Sequence, residues 1–463
     1  MIPKVKGVKH SIWTFILAGI FVITMGCGFG LGTVEDLLSP PRLTDQQSAI
    51  YKALTDSKGA GFKLKYPRSG EHRSAFVVYG DEEDAAIVFY EISGANIPRS
   101  LWVNFLYKND DGVWESLYDL SLADGTDIES VSFEEFGEDE ETTLIISYSI
   151  SQNEKKLMVI SNIYDRPVKQ FDDFYSFMQV DYFFGKDIKE LMIIRNYRFA
   201  ESAEAVFCNI RDGQLSMDVW YELDPSAGEY TGIMQGEIVR GLPALFINHR
   251  KYDNADNFGT DVLYYSGTRL RNPMIFNPDN PARALRITNP LTELANPRDI
   301  DGNGIIEIPS SAGEFPGYGN LPNSEKLRPV IWRNLESGRL EDRHYSYYTE
   351  RCDYVFLLPP RWVGSVTVKV DFDEETVSFF RADGPIDEVD QLLLSIKTVG
   401  NNQDSQPVNL AEWTFFRQGV ENNLSYYVKI DQTEDPLALT ADELEFAFRI
   451  LSEIKYEPDD TTG

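Results

Sequence analysis

Short β-prone runs recur along most of this chain, each entered from an acidic or glycine-bearing loop, and that recurrence limits the fold more than any other feature. The runs are Ala85-Ala86-Ile87-Val88-Phe89-Tyr90, Thr143-Leu144-Ile145-Ile146-Ser147-Tyr148, Glu190-Leu191-Met192-Ile193-Ile194, Asp261-Val262-Leu263-Tyr264-Tyr265 and Glu307-Ile308. They stand about 45–70 residues apart, enough for a four-stranded antiparallel unit with its loops, and a radial array of such units is a β-propeller. Residues 101–107, 114–120, 157–163 and 217–223 supply further candidate strands between them. Unrelated hairpins in a sandwich are the competing reading. The repeated loop-then-strand unit favours a mainly β chain with a propeller of about five blades, followed by a smaller α+β domain.

The most informative of these loops is Asp299-Ile300-Asp301-Gly302-Asn303-Gly304-Ile305-Ile306-Glu307. Ca²⁺ takes several oxygen ligands, and carboxylate or amide groups at alternate positions of a tight loop converge on one ion. Asp299, Asp301 and Asn303 have that alternation, the Ile305 carbonyl is a further ligand, and Glu307 closes the shell from the following strand. Gly302 and Gly304 permit the positive φ angles that fold the loop back. An EF-hand fits poorly, because its twelfth position is Ser310 and no helical pattern follows. A metal-free hairpin turn is the bland alternative, since Asp-Gly and Asn-Gly are ordinary turn dipeptides.

At 463 residues the chain exceeds one ordinary core, so more than one folding unit is expected. A net charge of −31 opposes nucleic acid as a partner, because phosphate binding needs a basic surface. The three cysteines, Cys27, Cys208 and Cys352, form no CxxC pair, which argues against zinc; a Cys208–Cys352 disulfide is permitted outside the cell, but the two fall in different expected domains, which favours two buried free thiols. The four histidines are scattered, with neither an HExxH pair nor a GxSxG elbow. No catalytic constellation can be named.

Lys4, Lys6 and Lys9 precede an uncharged apolar run from Ile12 to Met25, followed by Gly26-Cys27. The arrangement resembles a bacterial lipoprotein signal, which implies cleavage before Cys27, diacylglycerol on its sulfur and a body on the extracytoplasmic face of the cell membrane. An uncleaved membrane anchor is the alternative. Residues 28–42 then read as a tether. Thr44 with Gln47 has capping-box spacing, so a helix follows, with Ile50 and Leu54 on its apolar stripe.

From about residue 45 to 310 the blade-sized repeats resemble FG-GAP or VCBS-like proteins of bacterial cell surfaces, whose blades carry an Asp-rich calcium loop before an apolar strand. Residues 299–307 are the best copy. Residues 135–140 and 181–187 occupy corresponding places without the alternating ligands, and Asp253, Asp256 and Asn257 are an intermediate case. The resemblance implies Ca²⁺ at one loop, a propeller over residues 43–340 and a cell-wall glycan or protein as ligand.

An α+β domain is expected over 341–456, with strands at 354–358, 366–370, 377–380, 392–396 and 425–430 and an amphipathic helix at 441–451 capped by Thr440. Residues 457–463 read as a disordered tail. The function these features support is a membrane-anchored binding or scaffold protein with a structural calcium loop. The alternative is an extracellular carbohydrate-active hydrolase using paired carboxylates.

Overall fold

The computed structural model describes residues 43–454 apart from 95–96, 139, 198–201, 253–257, 274–294, 337–338, 402–408 and 431–434. The expectations for Cys27, the signal peptide, the tether, the C-terminal tail, Asp253, Asp256 and Asn257 lie outside the described residues. No helix among the described residues is long and apolar enough to cross a membrane.

The described strands form successive antiparallel sheets in chain order. The first combines Phe62–Leu64, Phe76–Tyr79, Ala85–Gly94, Ile97–Lys108 and Trp114–Leu122; the second runs from Asp127–Glu135 to Val168–Phe174, the third from Phe177–Asp181 to Gln214–Leu223, and the fourth from Ala227–Val239 to Arg269–Arg271. A fifth begins at Ile308–Ser311 and a sixth at Val366–Asp371. This is the blade arrangement of a β-propeller in a mainly β chain.

Side-chain alternation explains why the blades stack. In a strand, successive side chains point to opposite faces. Leu144, Ile146, Met158 and Ile160 of the second blade pack against Ile87, Phe89 and Val103 of the first. The intervening Ile145, Leu157 and Val159 pack against Leu191, Ile193 and Val206 of the third. The same division repeats one blade on, where Met192 and Ile194 join Leu245 and Ile247 of the fourth. Each of these blades is therefore buried on two faces, and its strands read as near-continuous apolar runs.

The first blade's far face is covered by α1 (Asp45–Lys58), through Ile50 and Leu54 against Ala86, Val88, Tyr90 and Leu106. Thr44 and Gln47 form the capping box the sequence predicts. In the sixth sheet the face opposite its apolar cluster is polar, carrying the buried Thr367, Ser395 and Lys397 and the Ser378–Ser395 hydrogen bond at 2.7 Å. Among the described residues, no buried apolar cluster joins the sixth sheet to the first. The helix occupies the surface such a contact would use.

Three expectations change in detail. The Asp261 run is the third strand of its blade, Phe258–Ser266; the second strand is Leu242–Lys251, whose apolar stretch gives way to Asn248-His249-Arg250 and so escapes the repeat pattern. The boundary expected near Leu340 falls inside strand Arg339–Thr349, which pairs with both Val330–Glu336 and Tyr354–Leu358. The C-terminal helix α2 is shorter than expected, Ala441–Ala447, because Phe448–Ile450 leaves it to pair with Tyr354–Leu358 as the last strand of the fifth sheet. The other C-terminal strands form where predicted, in the sixth sheet.

Phe448 anchors this returning segment. It is fully buried, stacks on Tyr354 with ring centroids 5.0 Å apart and meets Tyr426 edge-on at 4.9 Å. Phe448→Ala is expected to destabilise the chain by about 3–5 kcal/mol, the range for truncating a buried aromatic ring. Denaturant unfolding checks this; a loss under about 1 kcal/mol would show that the return strand is not a structural tie.

Candidate metal centre

The loop at 299–307 lies where the fourth and fifth blades meet. Its ends are tied by two backbone hydrogen bonds, from Arg298 N to the Glu307 carbonyl at 3.1 Å and from Glu307 N to the Arg298 carbonyl at 3.0 Å. Its two buried isoleucines enter different cores. Ile306 packs with Ile238, Phe246 and Val262 of the fourth blade, and Ile300 packs with Val330, Trp332 and Val355 of the fifth. Ile306 N also donates to the Glu237 carbonyl at 2.8 Å, extending the tie to the fourth blade.

Within the loop the polar side chains turn inward. Asp299 Oδ1 accepts from Gly302 N at 2.8 Å and Asn303 N at 3.0 Å, and its Oδ2 accepts from Gly304 N at 2.8 Å. Asp301 Oδ1 accepts from Asn303 N at 3.1 Å, and Asn303 Oδ1 from Ile305 N at 2.8 Å. Gly302 and Gly304 have φ of 80° and 84°, the left-handed conformation the tight return requires.

Asp299, Asp301 and Glu307 bring carboxylate oxygens within 4.8 Å of one another. Glu307 is the decisive member. Its side chain is 0% exposed; Oε2 accepts from Ile300 N at 2.9 Å, and Oε1 is buried without a hydrogen-bond partner. Burial, with the Asp301 and Asp299 charges adding to it, pushes the Glu307 carboxyl up to about 8, against the Ile300 amide and Asn334 side chain that favour its charge. Two like charges at this separation repel by about 3–4 kcal/mol at an effective dielectric near 20. Three ionised carboxylates therefore require a proton or a cation among them.

The donor set suits a hard cation. Asp299 Oδ2, Asp301 Oδ1 and Glu307 Oε2 each accept one backbone N–H and retain a lone pair, and an oxygen-rich loop selects Ca²⁺ or Mg²⁺ over softer metals. The structure brings together the acidic residues singled out from sequence, with Asn303 exposed at the loop tip and Ile305 half-buried beside it.

Sequence reasoning missed His344. From strand Arg339–Thr349 its Nε2 donates to Asp301 Oδ2 at 3.0 Å. Burial raises the Asp301 carboxyl, but His344 and Asn303 outweigh it and hold the group below its usual range. Only the pairing of this strand with Val330–Glu336 brings a residue so distant in sequence to the loop.

A second polar cluster is buried in the fourth blade. His249 Nε2 lies 3.7 Å from Asp261 Oδ2 and 3.9 Å from Asp224 Oδ2, while Lys251 pairs with Asp224 and donates to Ser226 Oγ at 2.9 Å. Asn272 Nδ2 donates to Asp261 Oδ1 at 2.7 Å. Burial, with the Asp224 charge adding to it, pushes Asp261 up to about 7; burial also pulls His249 down to about 4, against the pull of Asp224. Cys208 and Cys352 are both buried without a disulfide, as expected.

No family model matches this chain, and no curated protein matches it. Similar solved structures include a periplasmic gluconolactonase from Pseudomonas aeruginosa, with 13% identity over 73% of this chain and 90% of that one and a TM-score of 0.25. The β-propeller domain of the Trilobed protease from Pyrococcus furiosus shows 9% identity over 72% and 95%, with a TM-score of 0.24. A levansucrase variant from B. subtilis shows 10% identity over 66% and 90%, with a TM-score of 0.19. These values carry no information on function, and the blade arrangement stands on the hydrogen-bonded sheets described above.

The fourth-blade cluster predicts a pH signature. Asp261, raised above its unfolded value near 3.8, contributes stability that is present at low pH and lost as pH rises towards 7. His249, lowered from 6.5, contributes stability lost as pH falls from 6.5 to 4, so the two trends oppose. Asp261→Asn removes only the first. Its Tm deficit relative to the unsubstituted chain is expected to widen as pH falls from 7 to 4; a constant or narrowing deficit in thermal melts would contradict the assignment.

Proposed function

We propose that this chain is a calcium-stabilised binding or scaffold protein held on the outer face of a bacterial membrane by lipid on Cys27. The observation that carries the calcium reading is Glu307, whose carboxylate joins those of Asp299 and Asp301 and whose buried Oε1 has no hydrogen-bond partner. Asp299, Asp301, Asn303, the Ile305 carbonyl and Glu307 are the ligand set, in the alternating pattern of FG-GAP or VCBS-like loops. The ion's role is structural: it neutralises the carboxylates of a loop whose isoleucines enter the cores of two adjacent blades. Propeller loops then present a surface for a cell-wall glycan or a protein ligand.

A metal that binds only the folded chain stabilises it by about 2.7 kcal/mol when free metal is 100 times its Kd. Calcium is expected to raise Tm by a few degrees, a chelator to reverse this, and Asp301→Ala to remove the response. Above about pH 8, where the ion-free Glu307 carboxyl is charged, Glu307→Gln in chelator is expected to be at least as stable as the parent chain, because the neutral amide relieves the repulsion. Equal chelator responses in the parent chain and Asp301→Ala, read by calorimetry, would defeat the site.

The anchor rests on the charged start, the apolar run and Gly26-Cys27. Cys27→Ser is expected to abolish metabolic labelling by a fatty acid and to leave a larger precursor. Labelling that persists in this variant would exclude the lipid anchor.

A further inference from the structure

Two adjoining cavities of about 490 and 470 Å³ share Asn296, Arg298 and Leu451 in their walls and form a cleft with a mixed polar and apolar lining. Their combined size is that of a site for a small ligand of one or two rings. One side comes from the fourth blade, with Ile233, Met234 and Asn248; the other comes from the turn after strand Arg339–Thr349 and from the C-terminal turn at Leu451. Arg298, between them, is the residue whose backbone pairs with Glu307.

The lining chemistry selects the ligand. Donors and acceptors both contribute: Asn248 lines one cavity, Glu350 and Asp353 line the other, and Asn296 and Arg298 line both. The charged lining is one guanidinium against two carboxylates, on a chain of net charge −31, and this disfavours an anion. Asp353 is committed already, accepting from Ser452 N at 3.1 Å and from the Ser452 hydroxyl and Asn422 amide, so it does not offer a bare charge to a cation. Ile233, Met234 and Leu451 add aliphatic surface. Alternating amides and carboxylates beside an aliphatic surface match the hydroxyls and C–H face of an uncharged sugar ring.

We infer that this cleft binds a neutral saccharide and that the 299–307 loop sets its affinity by holding Arg298. The guanidinium reaches across to the Leu451 carbonyl at 3.3 Å, while the backbone of the same residue is fastened to Glu307 by two hydrogen bonds. A cation on Glu307 stiffens that pairing and with it the position of Arg298 in the cleft wall. The inference deepens the binding-protein reading above, and its coupling clause rests on the calcium site.

The test is calorimetric titration of the full chain with glucose, galactose, N-acetylglucosamine and their β-linked disaccharides, in calcium and in chelator. At least one is expected to bind in calcium, about tenfold more weakly in chelator. Asn296→Trp, which fills the space shared by both cavities, is expected to weaken binding at least tenfold while leaving the calcium-dependent rise in Tm unchanged. Absence of binding by all of these sugars to a chain whose Tm responds to calcium overturns the cleft and leaves the metal site standing. Sugar binding by a chain whose Tm ignores calcium overturns the coupling and the metal site but not the cleft. Equal binding by Asn296→Trp and the parent chain, both folded by circular dichroism, places the sugar elsewhere and overturns the assignment.

Discussion

The architecture depends on burying both faces of its inner sheets. A four-stranded sheet with one wet face needs polar residues at every second position, whereas Leu144-Ile145-Ile146 and Leu191-Met192-Ile193-Ile194 are apolar without interruption because alternate members serve different neighbours. Such a stack must end somewhere. At the start of the chain α1 supplies the missing apolar partner, and at the sixth sheet polar residues replace the apolar face. Blade stacking and end treatment are two consequences of one constraint.

The junction of the fourth and fifth blades meets that constraint differently. There the connection carries a loop whose Ile300 and Ile306 are drawn into separate cores, pulling Glu307 into a fully buried position between them. A carboxylate so placed is unfavourable unless it is neutralised. Two neighbouring aspartates increase the repulsion, and a cation bound there would convert it into attraction. The loop is thereby both a site of electrostatic repulsion and a candidate for a clamp. The cleft beside it shares Arg298 with the loop, which links this junction to the proposed saccharide site.

Much of this was legible in the sequence, for physical reasons that also mark its limits. The runs at 85–90, 143–148 and 190–194 identify second or central strands of their blades because they are buried on both faces. The fourth blade is out of phase in that reading, since its central strand ends in Asn248 and His249, which serve a buried polar cluster instead of apolar packing. The spacing that brings Asp299, Asp301 and Glu307 together is local and could be read directly. His344 and Asn334 could not, because only tertiary pairing of the fifth blade brings them to the loop. The return of Phe448–Ile450 to the fifth sheet was likewise hidden, since three residues following a helical pattern carry no sign of a distant strand partner.

The central claim is that a cation neutralises the buried Glu307 carboxylate and so holds two blades together. A crystal structure of the full chain grown in calcium tests it most directly. The account predicts one ion with oxygen ligands at about 2.3–2.6 Å from Asp299, Asp301, Asn303, the Ile305 carbonyl and Glu307 Oε1. A loop with the same backbone, no ion, and a protonated Glu307 donating to a neighbouring oxygen would contradict it.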